Sequence, residues 1–326
     1  MNNSNPMNNP NNPNSSNSSN SSSNDQPPTP ARPSRVAVIG AGTMGTAMAA
    51  RLLEAGHAVD VWSRQATTTA PLVDRGATAF ADAAEAVSNA DVVITMLPTA
   101  EVISAVMLEA KAVEAMAPNA IWVQMATIGV EATEQMAAAV RAVRSDVIFV
   151  DAPVSGSREP AETGQLLILA SGPDSVAERL APVLDALSRK TLWLGPAGAG
   201  SKMKLVLNTW LAFQIECAAE SAALAARLGV EPGSLLEALG DSPLASGFAL
   251  AKLHKMLEAD DRPDFALEWA LKDLDLASAN HRDDATPAAR AIADRWRRLV
   301  ADGAGHLDVS AARRGLGSSE SSAARQ

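Results

Sequence analysis

Lys204 and Asn208 stand four residues apart in GAGSKMKLVLN, Gly198 to Asn208, a spacing that puts both side chains on one face of a helix. The glycines ahead of them let such a helix start tightly against a neighbouring element. An amine beside a carboxamide can do proton-transfer chemistry. Hydride reduction of a carbonyl leaves developing negative charge on oxygen, and a donor within hydrogen-bond reach lowers that barrier. In the reverse direction the amine must be neutral to take the proton, and burial beside a positive ring favours that form. Asn208 would hold the reacting oxygen or orient the lysine. Spacing alone favours a plainer reading, in which Lys204 lays its stem over Met203 and Leu207 at a helix surface.

A second set of residues suits an anion. Gly40, Gly42 and Gly45 in GAGTMG follow the apolar run VAVI and precede TAMAARLLEAG, whose apolar spacing is helical. Strand, glycine turn and helix in that order are the context in which GxGxxG binds a dinucleotide. Gly40 permits the turn, Gly42 lets the backbone approach a pyrophosphate, and Gly45 allows close helix–strand packing. Ala41, Thr43 and Met44 complete the loop, and the helix start offers N–H groups to phosphate. The next strand, VDVWS, ends on Ser63 and Arg64, with Ser63 18 residues beyond Gly45, where an NAD site places an acid to bind both ribose hydroxyls. No acid stands there to repel a 2′-phosphate. Ser63 can donate to it, Arg64 can pair with it and stack on the adenine, and Thr67 to Thr69 add hydroxyls. Asp60 lies along the strand at the wrong position. The cofactor expected is NADP(H), with NAD fitting less well.

These residues need elements to position them. VAVIG, VDVWS, DVVITMLP, IWVQMAT and VIFVDAPV read as strands of a sheet buried on both faces, with helical segments between them. LLILASG and TLWLG read as continuing that sheet. Alternating strands and helices predict a parallel, doubly wound sheet with right-handed crossovers. From Lys202 to about Leu228 the chain reads as one long helix, and onward to Leu299 as helices broken near Pro232, Pro243, Pro263 and Pro287. The fold class is therefore α/β: a Rossmann-type domain over 35–196, then an all-helical domain over 197–317 entered by the long helix. An Asn/Ser/Pro-rich tail over 1–34 and a polar tail over 318–326 are too poor in apolar residues to build a core.

Composition narrows the partners. With 326 residues, 47% of them hydrophobic, the chain can build two domains and a large core. A net charge of −10 argues against tracking nucleic-acid phosphates. No stretch is long and uncharged enough to span a bilayer, and the N-terminal tail lacks the apolar segment of a secretory signal. A small-molecule substrate and a cytoplasmic location are expected. Cys217, the single cysteine, excludes a disulfide framework and reads as a small buried hydrophobe. His57, His254, His281 and His306 show no metal spacing and Asp260 and Asp261 sit in a loop near Pro263, so no metal is expected. No GxSxG or CxxC pattern points to hydrolysis or thiol chemistry.

Four motifs, VIGAGTMG, DAPVSGS (Asp151 to Ser157), GAGSKMKLVLN and FALEWALKDLDLA (Phe265 to Ala277), occur in the order found in the β-hydroxyacid dehydrogenases, and the chain resembles that family from Arg35 to about Ala312. The family includes 3-hydroxyisobutyrate dehydrogenases and small semialdehyde reductases and is related to 6-phosphogluconate dehydrogenase. The resemblance implies that Lys204 is the general acid and base, with Asn208 beside it. It implies that Ser155, Gly156, Ser157 and Asn208 bind substrate, open backbone N–H groups suiting a carboxylate. It places Lys272, oriented by Asp273, near nicotinamide and substrate, Met96, Leu97 and Pro98 at the cofactor cleft, and Thr127 on the nicotinamide side. Ser157 departs from the family's usual second glycine. Gln124 and Ala126 depart from its Asp-Met-Ser-Thr, each removing a polar group. Arg158, beside Glu159 and Glu162, reads as a solvated loop residue.

The activity so implied is NADP-dependent interconversion of a small 3-hydroxy acid and its aldehyde or keto form. An imine reductase is the alternative; it shares the glycine motif, the Arg-bearing loop and the long helix, but usually has Asp or Tyr where Lys204 stands. A non-catalytic NADP(H)-binding sensor or scaffold is another, and typically lacks the lysine. A sugar phosphate fits poorly, since it requires a basic cluster and a longer helical domain. Leu244, Phe248 and Leu250 are expected around the pocket with DAPVSGS. The long helix is apolar nearly all round, so other helices or a second subunit must cover it, and a homodimer or homotetramer is expected.

Overall fold

Strand β1 (Arg35–Ile39) sends alternate residues to opposite faces, and both faces are buried: Val36 and Val38 enter one core, Ala37 and Ile39 another. This double burial is what makes the strands read as unbroken apolar runs. The computed structural model describes residues 34–279 and 286–316. The expected N-terminal tail apart from Ser34, His281, and the expected C-terminal tail lie outside them.

The other strands of the first sheet are β2 (Ala58–Trp62), β3 (Thr78–Ala79), β4 (Val92–Thr95), β5 (Ile121–Gln124) and β6 (Ile148–Asp151). The order is β3-β2-β1-β4-β5-β6, with every pairing parallel. The order reverses between β1 and β4, and in such sheets a ligand cleft opens beyond the carboxyl ends at that point. LLILASG and TLWLG do not continue this sheet. They form β8 (Leu166–Ala170) and β9 (Ser188–Trp193), which with β7 (Val154–Ser155) make a separate three-stranded sheet. Pro153 lies two residues beyond the end of β6 and has no N–H for the ladder, so the chain leaves the first sheet there.

The seven longer helices are α1 (Thr43–Glu54), α2 (Val130–Val143), α3 (Ala177–Leu187), α4 (Ala199–Leu228), α5 (Gly247–Leu257), α6 (Leu267–Ala279) and α7 (Pro287–Leu299). Helix α4 has 30 residues and is about 45 Å long at 1.5 Å per residue. It starts three residues before Lys202 and stops at Gly229, whose left-handed φ of 70° caps it. Pro287 opens α7 from the first turn, and Pro232 opens a short helix in the same way, positions where the missing N–H costs nothing.

The helical layer has its own core, built from Ala212 and Ile215 of α4, Leu253 of α5, Leu271 and Leu274 of α6 and Trp296 of α7. Its buried charges are paired. Glu216 accepts from Arg295 and from Trp296 Nε1 at 2.9 Å, and Lys252 Nζ lies 2.9 and 3.0 Å from the Asp308 oxygens. Asp308 also accepts from the Asp264 N–H at 2.9 Å, which ties the approach to α6 against α5.

One expectation fails on α4. Cys217 is exposed, not buried. It shares the outer face of the helix with Met203, Val206, Trp210, Leu224 and Leu228, and Trp210 is 65% exposed. Apolar residues at nearly every position hide which face a chain covers itself; α5, α6 and α7 cover the other face.

Candidate functional site

The glycine turn is dictated by steric need. A Cβ on Gly45 would lie 1.8 Å from the Gly40 carbonyl oxygen, and one on Gly40 would lie 2.5 Å from the Met96 carbonyl oxygen. Gly40 also has φ 110°, a conformation that L side chains rarely adopt. A Cβ on Gly42 would meet nothing within 4 Å. The turn is thus packed tight on one side, against Met96 and Leu97, and open at Gly42 and Thr43, which are exposed. Helix α1 starts at this open side with no side-chain cap and no acid in its first turn, so its first N–H groups remain unsatisfied among the described residues. That cradle fits a pyrophosphate.

Beyond β2, Ser63 is partly exposed and Arg64 and Thr67 are exposed; none of their side chains makes a hydrogen bond or ion pair within the described residues. Asp60 is removed from contention, because Arg35 grips its carboxylate at 2.6 and 2.8 Å. Two of the expected hydroxyls are also removed. Thr68 donates to Gln65 O and Thr69 to Ala66 O, both at 2.8 Å, and Thr69 is buried. Such local bonds close the turn and leave only Thr67 free.

The second half of the site lies where α4 meets α6. Asn208 is buried and its Nδ2 donates to Asp273 Oδ2. Lys272 Nζ donates to the Thr127 carbonyl oxygen and lies 3.1 Å from Asp273 Oδ1. Lys204, four residues before Asn208 and partly buried, makes no hydrogen bond or ion pair within the described residues. Burial pushes its amine below the ordinary lysine range; the Asp273 carboxylate opposes that fall and Lys272 adds to it. The sequence-predicted residues Lys204, Asn208, Lys272, Asp273 and Thr127 therefore stand together. An unpaired, desolvated amine beside an ion pair is suited to proton transfer.

Gln124 was expected to remove a polar group, and it supplies one. Fully buried, it donates to Ala126 O at 2.7 Å and accepts from Ala126 N at 2.9 Å, bracing the turn that carries Thr127. A side-chain amide can satisfy both backbone groups of one residue.

Ser155 ends β7 and Gly156 and Ser157 form the turn after it, and no hydrogen bond links them to the Lys204 cluster within the described residues. The N–H groups of Gly156 and Ser157 donate to nothing within the described residues. Arg158 pairs with Glu162 at 2.7 Å, as a solvated residue would. Leu244 and Phe248 are exposed, Leu244 at 86%. Asp260 is held by Arg262 and Asp261 by Arg313 and Arg314.

Sequence reasoning missed Asp151. Its Oδ2 accepts from Ser201 N at 2.8 Å, Gly198 N at 3.2 Å and Ser171 Oγ at 3.0 Å, and its Oδ1 from Ser201 Oγ at 2.8 Å. Burial raises its carboxyl above the usual range, and these donors oppose the rise. Asp151 thus caps α4 from the sheet. A signal existed: α4 begins on glycines, with no acid in its first turn, and a buried helix start needs an acceptor from elsewhere.

Residues 35–195 match the family model described as the NAD binding domain of 6-phosphogluconate dehydrogenase, and residues 198–316 the one described as NAD-binding of NADP-dependent 3-hydroxyisobutyrate dehydrogenase. The chain is 32% identical over 280 residues to glyoxylate/succinic semialdehyde reductase 1 of Arabidopsis thaliana, covering 85% of this chain and 96% of that protein. It is 31% identical over 281 residues to 3-sulfolactaldehyde reductase of Escherichia coli (strain K12), covering 85% and 93%. Its fold matches a structure of 3-hydroxyisobutyrate dehydrogenase of Mycobacterium tuberculosis with L-serine, at a TM-score of 0.78 and 30% identity, over 86% of this chain and 98% of that one.

Proposed function

The chain belongs to the β-hydroxyacid dehydrogenase family, whose members are NAD(P)-dependent oxidoreductases of hydroxyacids and aldehydes, and from that premise we propose that it interconverts a small 3-hydroxy acid and its aldehyde or keto form with NADP(H), using Lys204 as general acid and base. The observation that carries this reading is the amine of Lys204: desolvated, without a partner among the described residues, and on the α4 face that carries Asn208.

The residues present suit a phosphorylated dinucleotide. Gly42 and the free N–H groups at the start of α1 would hold its pyrophosphate, and Met96, Leu97 and Pro98 would flank it. Ser63, Arg64 and Thr67, all without partners, would hold the 2′-phosphate through charge-assisted hydrogen bonds. Thr127 and Lys272 would lie toward the nicotinamide. When bound, the cofactor supplies or accepts the hydride.

The protein supplies the proton and the orientation. In reduction the Lys204 ammonium donates to the oxygen on which negative charge develops, and in oxidation the neutral amine takes the hydroxyl proton. The lowered affinity of Lys204 for its proton serves both directions. The open N–H groups of Gly156 and Ser157, with Ser155, would take the substrate carboxylate. Asn208, fixed by Asp273, would shape the opposite wall. The uncovered apolar face of α4 would be closed by a second copy of the chain, giving a homodimer or a homotetramer.

The test is a steady-state assay of NADPH against NADH with glyoxylate, succinic semialdehyde and related small aldehydes, wild type beside Lys204→Ala. The expected result is turnover preferring NADPH, reduced roughly 100-fold or more in the variant. Turnover of cyclic imines alone, or none lost in Lys204→Ala, would replace this reading with an imine reductase. Tight NADPH binding without any turnover would replace it with a sensor.

A further inference from the structure

Asp273 is 3% exposed, and its two oxygens are used unequally. Oδ2 accepts from Asn208 Nδ2. Oδ1 lies 3.1 Å from Lys272 Nζ in an ion pair without hydrogen-bond alignment, and it is the one buried side-chain polar atom without a hydrogen-bond partner among the described residues. A buried carboxylate oxygen left unbonded is costly and calls for a donor. Lys204 is the complementary case across the same α4–α6 contact, a donor without an acceptor. A carboxylate only accepts, so Asn208 must turn Nδ2 toward Asp273 and Oδ1 away from it.

We propose that Asp273 is the positioning residue of this site: Oδ2 holds the Asn208 carboxamide with its oxygen outward, and Oδ1 receives the Lys204 ammonium when that group carries the proton. The inference rests on Lys204 being the acid and base. Lys272 is anchored on the Thr127 carbonyl. Lys204, with no other partner, is the lysine that gains and loses a proton. Besides burial, the charged groups that act on Lys204 are Asp273, which favours the protonated amine, and Lys272, which disfavours it; both come from α6. Replacing either one therefore shifts the Lys204 titration, and the two shifts have opposite signs.

The experiment compares wild type, Asp273→Asn, Asp273→Glu and Lys272→Met by two measurements. One is the pH profile of kcat/KM for NADPH-dependent reduction. The other is the pH dependence of Lys204 acylation by acetic anhydride in the free enzyme, read by mass spectrometry. Reduction needs the protonated amine and falls as pH rises through its titration, whereas acylation needs the neutral amine and rises. The expected result is that Asp273→Asn moves both transitions to lower pH, Lys272→Met moves both to higher pH, and Asp273→Glu, which keeps the charge, restores the wild-type position. Shifts of the same sign in Asp273→Asn and Lys272→Met, unmoved transitions, or an Asp273→Glu profile that matches Asp273→Asn would overturn the proposal. If wild type reduces nothing, the functional reading fails and the acylation profiles still decide the role of Asp273.

Discussion

Two glycines three residues apart make opposite demands, and substituting each by alanine separates fold from cofactor binding. In Gly45→Ala the new methyl would start 1.8 Å from the Gly40 carbonyl oxygen, so α1 and the turn must part by more than an ångström. Overpacking against backbone, which cannot rotate away, costs about 3 kcal/mol, a loss of several degrees in thermal midpoint. In Gly42→Ala the methyl meets nothing within 4 Å, and the backbone at φ −79° and ψ −168° is ordinary extended chain. Alanine is a poorer helix cap than glycine, but it also restricts the unfolded chain, and these effects offset to within about 0.5 kcal/mol.

Cofactor binding should report the reverse. If the pyrophosphate lies against Gly42, the methyl of Gly42→Ala holds it off the N–H groups of α1. Losing a hydrogen bond to a charged group costs about 1.5–3 kcal/mol, so the dissociation constant for NADPH should rise roughly tenfold to a hundredfold. Tryptophan fluorescence titration with NADPH gives the affinity, and thermal unfolding without ligand gives the stability. A Gly42→Ala protein that binds NADPH within twofold of wild type would refute the placement of the phosphates, and a Gly45→Ala protein of unchanged midpoint would refute the steric argument.

The remaining expectations concern specificity, proton transfer and assembly. Ser63→Asp places a carboxylate at the end of β2 and is expected to weaken NADPH roughly tenfold or more through like-charge repulsion, with NADH much less affected, as parallel titrations will show. Because burial lowers the proton affinity of Lys204, kcat/KM for reduction should fall and kcat/KM for oxidation should rise with pH, each through a transition below the ordinary lysine range, with the oxidation transition the lower of the two because the oxidised nicotinamide is positive. Pre-steady-state measurements in both directions check this, and a reduction profile that rises with pH would point to a different acid and base. Trp210→Glu sets a charge in the centre of the uncovered α4 stripe. It should yield monomers in sedimentation analysis at concentrations where wild type associates.

The first sheet was legible because its central strands, β1, β4 and β5, are buried on both faces, a demand that only unbroken apolar runs such as VAVI and VVIT satisfy. The lysine–asparagine pair was legible from its spacing, though it took the further motifs to separate it from a surface lysine. What escaped the sequence depends on partners far along the chain. Nothing local says that Thr68 and Thr69 will spend their hydroxyls on Gln65 and Ala66 rather than on a ligand. Gln124 reads as a loss until the Ala126 backbone lies beside it. Cys217 belongs to a helix so uniformly apolar that its periodicity cannot tell the covered face from the open one.

The joint between sheet and long helix explains why DAPVSGS and GAGSKMKLVLN belong together. Asp151 ends β6 and lies 50 residues before Ser201, yet its carboxylate takes the N–H groups of Gly198 and Ser201, while Ser171 Oγ takes that of Gly200. A Cβ on Gly200 would lie 2.1 Å from the Leu169 carbonyl oxygen, so the helix backbone rests directly on β8. Ser201 Oγ continues the network to Thr133, which holds the Gly129 carbonyl at the start of α2. Any tilt of α4 would leave several buried donors unsatisfied at once, at roughly 1–3 kcal/mol each. Lys204 follows one turn later on the same helix, so the network that satisfies the helix start also fixes where Lys204 leaves the helix. The proposed proton donor is therefore positioned by the sheet domain that carries the glycine turn.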